Sequence, residues 1–330
     1  MPVTNIRSRW NKSGFEGSLD FYRPDTGTSV LTITEGGVIT PNPSGAQDYF
    51  VDGNVSTTGD GLSWGTAFKT LAEAITASNT SIALSDNRWW ARRNRIFVCG
   101  DDLAEDLTIL PEKTDIIGVG SDIFPFPRIT GNHTIAATRP TAGKGNGARF
   151  INMGFIDADG TADVFAVPAS CHGLSFIGCH FIPKTGGSAG KALEITDCAH
   201  VRIIDCVFDV GVGSMTNIFA VAISIEGDAA IHDTRIIGNE ITATAGIVVA
   251  ESGASAMGSL IKDNVIRAVA VAIADASDDF QVVNNRWMTD IDTGTSTAGY
   301  DFNLQLAAGN IQMGVTGLCD TIPFTKIAEG

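Results

Sequence analysis

The chain has 330 residues and a formal net charge of −15, which disfavours nucleic acid as a partner because binding it requires cations that neutralise phosphates. There is no run of about 18 apolar residues, so we expect no membrane span. The N-terminus lacks the apolar core of a signal peptide, which predicts synthesis in the cytoplasm without classical secretion. Glycine is abundant at 37 residues and charged residues make up only 18%, as expected for one long domain of tight turns.

Residues 1–47 are predicted to form a separate N-terminal segment. Apolar and polar residues alternate over 17–23 and 29–34 on either side of a Pro-Asp-Thr-Gly turn, which predicts a β-hairpin. A lone hairpin is marginally stable in water, so we expect it to pack on a partner or on the chain's own first coil. Aromatic residues often carry interface energy. Those of this candidate attachment interface are Trp10, Phe15, Phe21 and Tyr22.

A helix is predicted over residues 63–78, followed by a basic aromatic cluster. Phe68, Leu71 and Ile75 fall at helical spacing, and a helix before the first coil would cover its open edge. The cluster would stack on a glycan or dock an acidic partner, or else its arginines pair with the chain's own carboxylates. The residues of this cluster are Trp89, Trp90, Arg92 and Arg93.

An internal repeat occupies the middle of the chain. The spacing Cys-x7-Cys occurs twice, 27 positions apart, and each second cysteine closes a short apolar run. The same run recurs downstream with asparagine in place of cysteine, at a period typical of a solenoid. Stacked coils would bring equivalent residues into ladders at roughly 4.8 Å, and parallel crossovers are expected to be right-handed. The predicted structural ladder consists of Met153, Cys179, Cys206, Asn239, Asn264 and Asn285.

The start of this region resembles a known family. Residues 49–54, 61–75 and 95–98 are similar to the opening of a pectin-lyase-like right-handed parallel β-helix. The resemblance covers residues 48–290 and implies an all-β fold, a right-handed parallel β-helix with an N-terminal capping helix. It does not imply one function, because the scaffold serves lyases, hydrolases, phage tailspikes and plain virion proteins.

Three interpretations of the cysteines are open. Stacked Cys171 and Cys198, or Cys179 and Cys206, would lie within disulfide reach. A zinc site would combine them with His172, His180 or His200, although their spacing matches no standard zinc pattern. Buried thiols in the coil core are the interpretation that the repeat favours, so we expect no metal and no cofactor.

Carboxylates supply the candidate catalytic residues, because glycan cleavage requires an acid with a base or nucleophile. Turns of any solenoid are also rich in Asp, so we assign no catalytic residue and keep these pairs as fallback candidates. The fallback residues are Asp205 with Asp209 and Glu226 with Asp228, and a further pairing is Asp275 with Asp278 or Asp279. Candidate calcium pairs are Asp157 with Asp159 and Asp290 with Asp292. Trp287 is a candidate glycan contact.

Residues 291–330 lie beyond the repeat. Alternation over 301–306 and 311–315 predicts strands that close the far end of the stack or exchange with neighbouring protomers. A solenoid needs such a cap, because its last coil otherwise exposes an apolar face.

The N-terminal segment resembles the short attachment regions of bacteriophage structural proteins. Together with the β-helix, this resemblance implies a homotrimeric capsid decoration or head-spike protein on the virion surface, made in the host bacterial cytoplasm. Its partner would be the major capsid protein or another virion protein. The alternatives are a tailspike-type polysaccharide depolymerase, hydrolase or lyase, and a passive adhesin for host surface glycans. Few aromatic residues and no distinctive acid motif favour the structural role.

Overall fold

The computed structural model describes the backbone and side chains of part of the chain. For five N-terminal strands within residues 10–39 and two C-terminal strands within residues 300–316, only the backbone is described. The residues described in full are 46–82, 92–100, 103–120, 127–136, 146–167, 171–209, 217–227, 231–250, 258–275 and 280–287.

The N-terminal strands form two small antiparallel sheets of their own. The strands are β1 (Trp10–Asn11), β2 (Gly14–Phe15), β3 (Leu19–Tyr22), β4 (Ser29–Thr34) and β5 (Gly37–Ile39). β1 pairs with β2, and β3 pairs with β4 on either side of the predicted turn. β5 adds a third strand beyond that hairpin. The side chains of the four aromatic attachment candidates lie outside the described residues.

The main body is built from short parallel strands that recur from one coil to the next. In chain order they are β6 (Asp48–Asp52), β7 (Asn94–Cys99), β8 (Leu103–Ala104), β9 (Thr114–Gly118), β10 (Arg128–Thr130), β11 (His133–Thr134), β12 (Arg149–Ile151), β13 (Gly154–Ile156), β14 (Phe165–Val167), β15 (Ser175–Ile177), β16 (His180–Ile182), β17 (Ser188–Thr196), β18 (Arg202–Ile204), β19 (Val207–Phe208), β20 (Phe219–Gly227), β21 (Arg235–Ile237), β22 (Glu240–Glu251), β23 (Leu260–Lys262), β24 (Val265–Asp275), β25 (Gln281–Val283) and β26 (Arg286–Trp287).

Three series of parallel pairings run along this stack, and we name them sheets A, B and C. Sheet A contains β6, β7, β9, β12, β15, β18, β21, β23 and β25. Sheet B contains β8, β10, β13, β16, β19, the first residues of β22 and β24, and β26. Sheet C contains β11, β14, β17, β20 and the later parts of β22 and β24. One passage through the sheets is one coil, and the result is an all-β parallel fold compatible with a solenoid.

Each sheet contributes at least one ladder of buried apolar residues to the core. In sheet B the register aligns Phe155 with Phe181 and then with Phe208, and the rings of Phe181 and Phe208 stack at 4.7 Å with 3° between their planes. The ladder continues through Ile241, Ile266 and Trp287. Burying one such side chain contributes roughly 1.5–3 kcal/mol, so the repeated burial is a main source of stability.

The helix differs in position from the prediction. It is α1 (Leu71–Ala83), and only a short 3-10 helix, Trp64–Thr66, lies within the earlier part of the predicted span. Phe68 is in extended backbone instead, because its N–H donates to Phe50 O and its carbonyl accepts from Asp52 N, both at 2.9 Å. The prediction was therefore wrong for residues 63–70, and the helix also continues past residue 78 to Ala83.

A reciprocal cap and a distant carboxylate fix the start of α1. Glu73 N donates to Thr70 Oγ1 at 3.3 Å, and Thr70 N donates to Glu73 Oε2 at 3.1 Å, which is a capping box. Glu105 accepts from Leu71 N at 2.7 Å and from Ala72 N at 3.0 Å. Through these bonds the helix is tied to the coils, and its apolar side packs on β6 and β7.

Two strands extend the stack beyond β26. β27 (Tyr300–Ala307) pairs in parallel with β25 and β26, and β28 (Asn310–Thr316) pairs antiparallel with β27. These two strands include residues 301–306 and 311–315, where apolar and polar residues alternate in the sequence. Within the described part of the chain, no helix has the length and apolar character needed to cross a membrane.

Candidate functional site

The three ladder asparagines lie at the turn between sheets A and B, and all are buried. Asn239 Nδ2 donates to Asn264 Oδ1 at 2.9 Å, and Asn264 Nδ2 donates to Asn285 Oδ1 at 2.8 Å. Each Nδ2 also donates to a sheet A carbonyl of the preceding coil at 3.0 Å, that of Ile203 for Asn239 and Ile236 for Asn264. The amides therefore hold the coils together and are not available to a ligand.

The ladder cysteines occupy the equivalent position in their coils, and their thiols donate to the equivalent sheet A carbonyl of the preceding coil. Cys179 Sγ donates to Phe150 O and Cys206 Sγ donates to Phe176 O, each at 3.4 Å. Met153 occupies the equivalent position in the coil before Cys179 and is equally buried. The described cysteines are free thiols, and burial raises the pKa of Cys206 well above its ordinary value. These thiols belong to the packing of the turn, because a buried thiol that stays protonated is a poor nucleophile and metal ligand.

The two carboxylates of the first candidate pair lie in different environments. Asp205 is exposed in the turn between sheets A and B, with left-handed backbone at a φ of 52°. Asp209 is buried after β19, where its carbonyl lies 3.0 Å and its Oδ1 3.4 Å from His180 Nε2. Asp205 and Asp209 therefore lie in different surroundings, the first in an exposed turn and the second buried beside His180.

A different carboxylate pair comes together on sheet C. Lys191 Nζ contacts Glu194 Oε2 and Glu226 Oε1, which lie on the adjacent strands β17 and β20. Ser224 Oγ donates to Glu226 Oε1 at 2.8 Å. The side chains of the lysine and the two glutamates retain 22–33% exposure, so this carboxylate cluster is open to solvent on one side.

The two glutamates of the carboxylate cluster differ in proton affinity. Burial raises the pKa of Glu194, and the hydrogen bond from Lys191 only partly offsets it. Burial acts in the same direction on Glu226, but the hydrogen bonds from Lys191 and Ser224 outweigh it and lower the pKa. Carboxyls whose environments push their pKa values apart are suited to acid and base roles.

Sequence reasoning found only one member of this cluster. Glu226 was a candidate, its proposed partner Asp228 lies outside the described residues, and Glu194 was missed. A signal was present, because the second strands of the two coils align Glu194 with Ser224, two residues before Glu226. Aligning the second strands as carefully as the first would have identified the juxtaposition.

The described arginines of the basic aromatic cluster bind the chain itself. Arg92 Nη1 donates to Ser81 O at 2.8 Å. Arg93 Nη1 donates to Asp115 Oδ1 at 2.5 Å and to Gly147 O at 3.0 Å. Both arginines thus contact the chain's own residues, and Arg93 has an acidic partner in Asp115. Trp89 and Trp90 lie outside the described residues.

The remaining candidates are largely internal. Trp287 is 5% exposed and belongs to the core, so its ring offers no face to a glycan, contrary to the expectation. Asp157 is also buried, and its Oδ1 accepts from Asp159 N at 3.2 Å and Gly160 N at 3.0 Å, as in a capped turn. Asp275 is 1% exposed. Its proposed partners Asp278 and Asp279, and the pair Asp290 with Asp292, lie outside the described residues.

Comparison with known proteins adds no assignment. No protein-family model, no curated protein and no solved structure matches the chain.

Proposed function

We propose that the chain is a structural protein of a bacteriophage virion, a homotrimeric capsid decoration or head-spike protein built as a right-handed parallel β-helix. The observation that carries the proposal is a division in strand pairing. Among the described pairings, those of β1–β5 are antiparallel and stay within residues 10–39, whereas parallel pairings run without interruption from β6 to β27. A small anchor joined to a long stack suits attachment at one end and projection at the other.

The buried ladders support a mechanical role for the stack. Hydrogen bonds between successive coils run along its length, and the Phe181 and Phe208 rings stack in the same direction. Repeat architectures of this kind gain stability from each neighbouring interface. Such a stack resists bending because every coil is bonded to the next, which a protein standing on a particle surface requires.

The N-terminal segment, residues 1–47, would provide attachment to the major capsid protein or another virion protein. Aromatic residues such as Trp10 and Phe21 often dominate interface energy. Closed rotational symmetry is the rule for homo-oligomers, and three-fold symmetry suits a spike. The net charge of −15 would limit adhesion between spikes.

Purified virions of the phage that encodes the chain provide the test. We expect peptides of the chain in the virions, and a mass of about three times 34.6 kDa for the isolated protein in light scattering. A chain lacking residues 1–47 should fold, as seen by circular dichroism, and be absent from virions. Virions that lack the full-length chain, or that retain the shortened one, would refute the proposal.

A second candidate function is cleavage of a polysaccharide, and the carboxylate cluster favours it. Glu194, with the raised pKa, would donate a proton to the leaving oxygen, while Glu226 would act as base or nucleophile. Lys191 bridges both carboxylates, so a substrate would have to displace it from at least one of them.

Incubation of the protein with capsular polysaccharide of the host separates these functions. Cleavage would release reducing or unsaturated sugar ends and would be lost in Glu194→Gln and Glu226→Gln. The control is Glu240→Gln, which changes an exposed glutamate of β22 outside the cluster. Binding without cleavage would indicate a passive glycan-binding adhesin, and neither binding nor cleavage leaves the structural role as the function to pursue.

A further inference from the structure

The turn that precedes the sheet A strands contains a second stack of equivalent residues in left-handed backbone. Gly173 N donates to Ala199 O at 2.8 Å and His200 N donates to His232 O at 3.0 Å, which fixes the register between coils. At this position the left-handed conformation favours glycine. The stack contains Gly147, Gly173, His200, Asp233 and Gly258, with φ values of 69°, 73°, 59°, 57° and 78°.

Two successive coils thus place a histidine and an aspartate where their neighbours have glycine. Left-handed backbone costs a residue with a Cβ atom roughly 1–2 kcal/mol, although Asp and His tolerate it better than most. The consequence is that the side chains of His200 and Asp233 project from adjacent coils at one surface position. His232, the residue before Asp233, completes the group.

The three side chains converge closely. Asp233 Oδ2 lies 3.1 Å from His232 Nδ1 and 3.4 Å from His200 Nδ1. The two imidazole rings meet edge to face, with centroids 5.0 Å apart and 89° between their planes. One ligand atom from each residue lies within 4.8 Å of the other two.

We propose that His200, His232 and Asp233 form a binding site for a divalent transition-metal ion of the zinc class. Zinc binds imidazole nitrogen and carboxylate oxygen at about 2.0–2.2 Å, so ligand atoms around a tetrahedral ion lie roughly 3.3–3.5 Å apart. The two separations that involve Asp233 are already close to this value. Copper and nickel prefer similar ligands, and open positions at this exposed site would hold water.

Electrostatics provides the anionic ligand and one opposing charge. Asp233 contributes a carboxylate to the group, and Arg235 follows it by two residues at the start of β21. Arg235 is the adjacent cation and opposes a bound metal ion, so its removal should strengthen binding.

The site is independent of the carboxylate cluster, since its residues lie at the turn before sheet A and not on sheet C. It also differs from the zinc site that the sequence suggested, because none of its ligands is a cysteine. The earlier hypothesis included His200 but missed His232 and Asp233. The equivalent positions Cys206 and Asn239 are 33 residues apart in the chain. Aligning the strands of their two coils is therefore needed to see that His232 and Asp233 lie beside His200.

Isothermal titration of the full chain with ZnCl2 or NiCl2 tests the proposal. We expect one ion per chain, with affinity reduced about tenfold or more in His200→Asn and Asp233→Asn, both of which place a residue tolerated in left-handed backbone. The matched control is Asp263→Asn, an exposed aspartate with left-handed backbone at another turn, which should bind as the wild type does.

A spectroscopic measurement makes the test specific to these ligands. Co²⁺ added to the full chain should give visible absorption bands that are absent in His232→Ala and present in Asp263→Asn. Arg235→Gln should raise the affinity for Zn²⁺ roughly two- to threefold, by removal of one repulsive charge. The absence of stoichiometric binding, or binding that His200→Asn and Asp233→Asn leave unchanged while both remain folded, would overturn the proposal.

Discussion

The coils with cysteine and the coils with asparagine make a similar hydrogen bond at the turn between sheets A and B. In both regions a buried side chain donates to a sheet A carbonyl of the preceding coil, as Cys206 does to Phe176 and Asn264 does to Ile236. The asparagines add a bond from each amide to the next, which the thiols cannot match. At this position a thiol makes one of the hydrogen bonds that an amide makes, and Met153 fills the space without donating any.

The two regions also differ in their core neighbours. The coil with Cys179 carries Phe176 in sheet A and Phe181 in sheet B, whereas the coil with Asn239 carries Ile236 and Ile241 at the same positions. The Cys206 coil is intermediate, with Ile203 in sheet A and Phe208 in sheet B. The cysteine region gains more from ring packing and the asparagine region more from hydrogen bonds.

The largest difference should appear when one member of the asparagine ladder is removed. Asn264→Ala leaves the buried Asn239 N–H and the carbonyl of Ile236 without their partners. Each buried polar group left unpaired costs about 1–3 kcal/mol, so we expect a loss of about 4 kcal/mol in the free energy of unfolding. Urea denaturation measures this loss.

The control for this experiment is Gln281→Ala, an exposed change on the adjacent strand β25, which should alter stability by less than about 0.5 kcal/mol. Equal losses for both variants would show that the ladder bonds contribute little.

The second-largest effect should be a dependence of the free energy of unfolding on pH, caused by a histidine in the aromatic region. His133 is buried between Phe155 and Phe165, its Nδ1 accepts from Leu107 N at 3.0 Å, and burial lowers its pKa from 6.5 to about 4. The unfolded chain therefore binds a proton at a higher pH than the folded one. This contribution to stability is complete above pH 6.5 and falls by about 3 kcal/mol as the pH decreases to about 4.

Urea denaturation at a series of pH values measures this dependence. In His133→Gln, which keeps a side-chain acceptor, the stability curve between about pH 6.5 and about pH 4 should be flatter than in the wild type. An identical slope in both proteins would assign the acid sensitivity to other groups.

The smallest effect should come from replacing a ladder cysteine with asparagine, the residue at the equivalent position of later coils. Cys206→Asn supplies an amide that donates to Phe176 O, so we expect a change within about 1 kcal/mol. Cys206→Ala removes the donor and the sulfur and should cost about 2 kcal/mol. Thermal denaturation of the two variants ranks them, and greater damage from asparagine than from alanine would mean that volume, not hydrogen bonding, decides the residue at this position.

Much of the parallel fold could be predicted because the repeat has a direct physical cause. Stacked coils must place equivalent residues in register, so the steps between Cys179, Cys206 and Asn239 reported the strand pairing itself. The start of α1 was predicted wrongly because helical spacing outweighed a local signal. Thr70 and Glu73 form a capping box that was visible in the sequence.

The candidate sites were harder to predict because they depend on contacts between coils. Glu194 reaches Glu226 through Lys191 only after their strands pair, and the two residues are 32 positions apart. Trp287 was expected at the surface because it is one of few aromatic residues, yet it continues the ladder of Phe181 and Phe208. A residue count alone cannot distinguish a surface ring from a core ring, whereas the repeat register could.

The direction of the ladder bonds has a consequence for how the protein is made. Cys206 N–H and Asn264 N–H are each satisfied by an asparagine that lies 33 and 21 residues later in the chain. Ribosomes add about 5–20 residues per second, so a newly folded coil waits roughly 1–7 s for the oxygen that completes it. At each of these coils the growing end of the stack therefore carries an unpaired N–H donor until the next coil is made, which favours ordered growth from the N-terminal end.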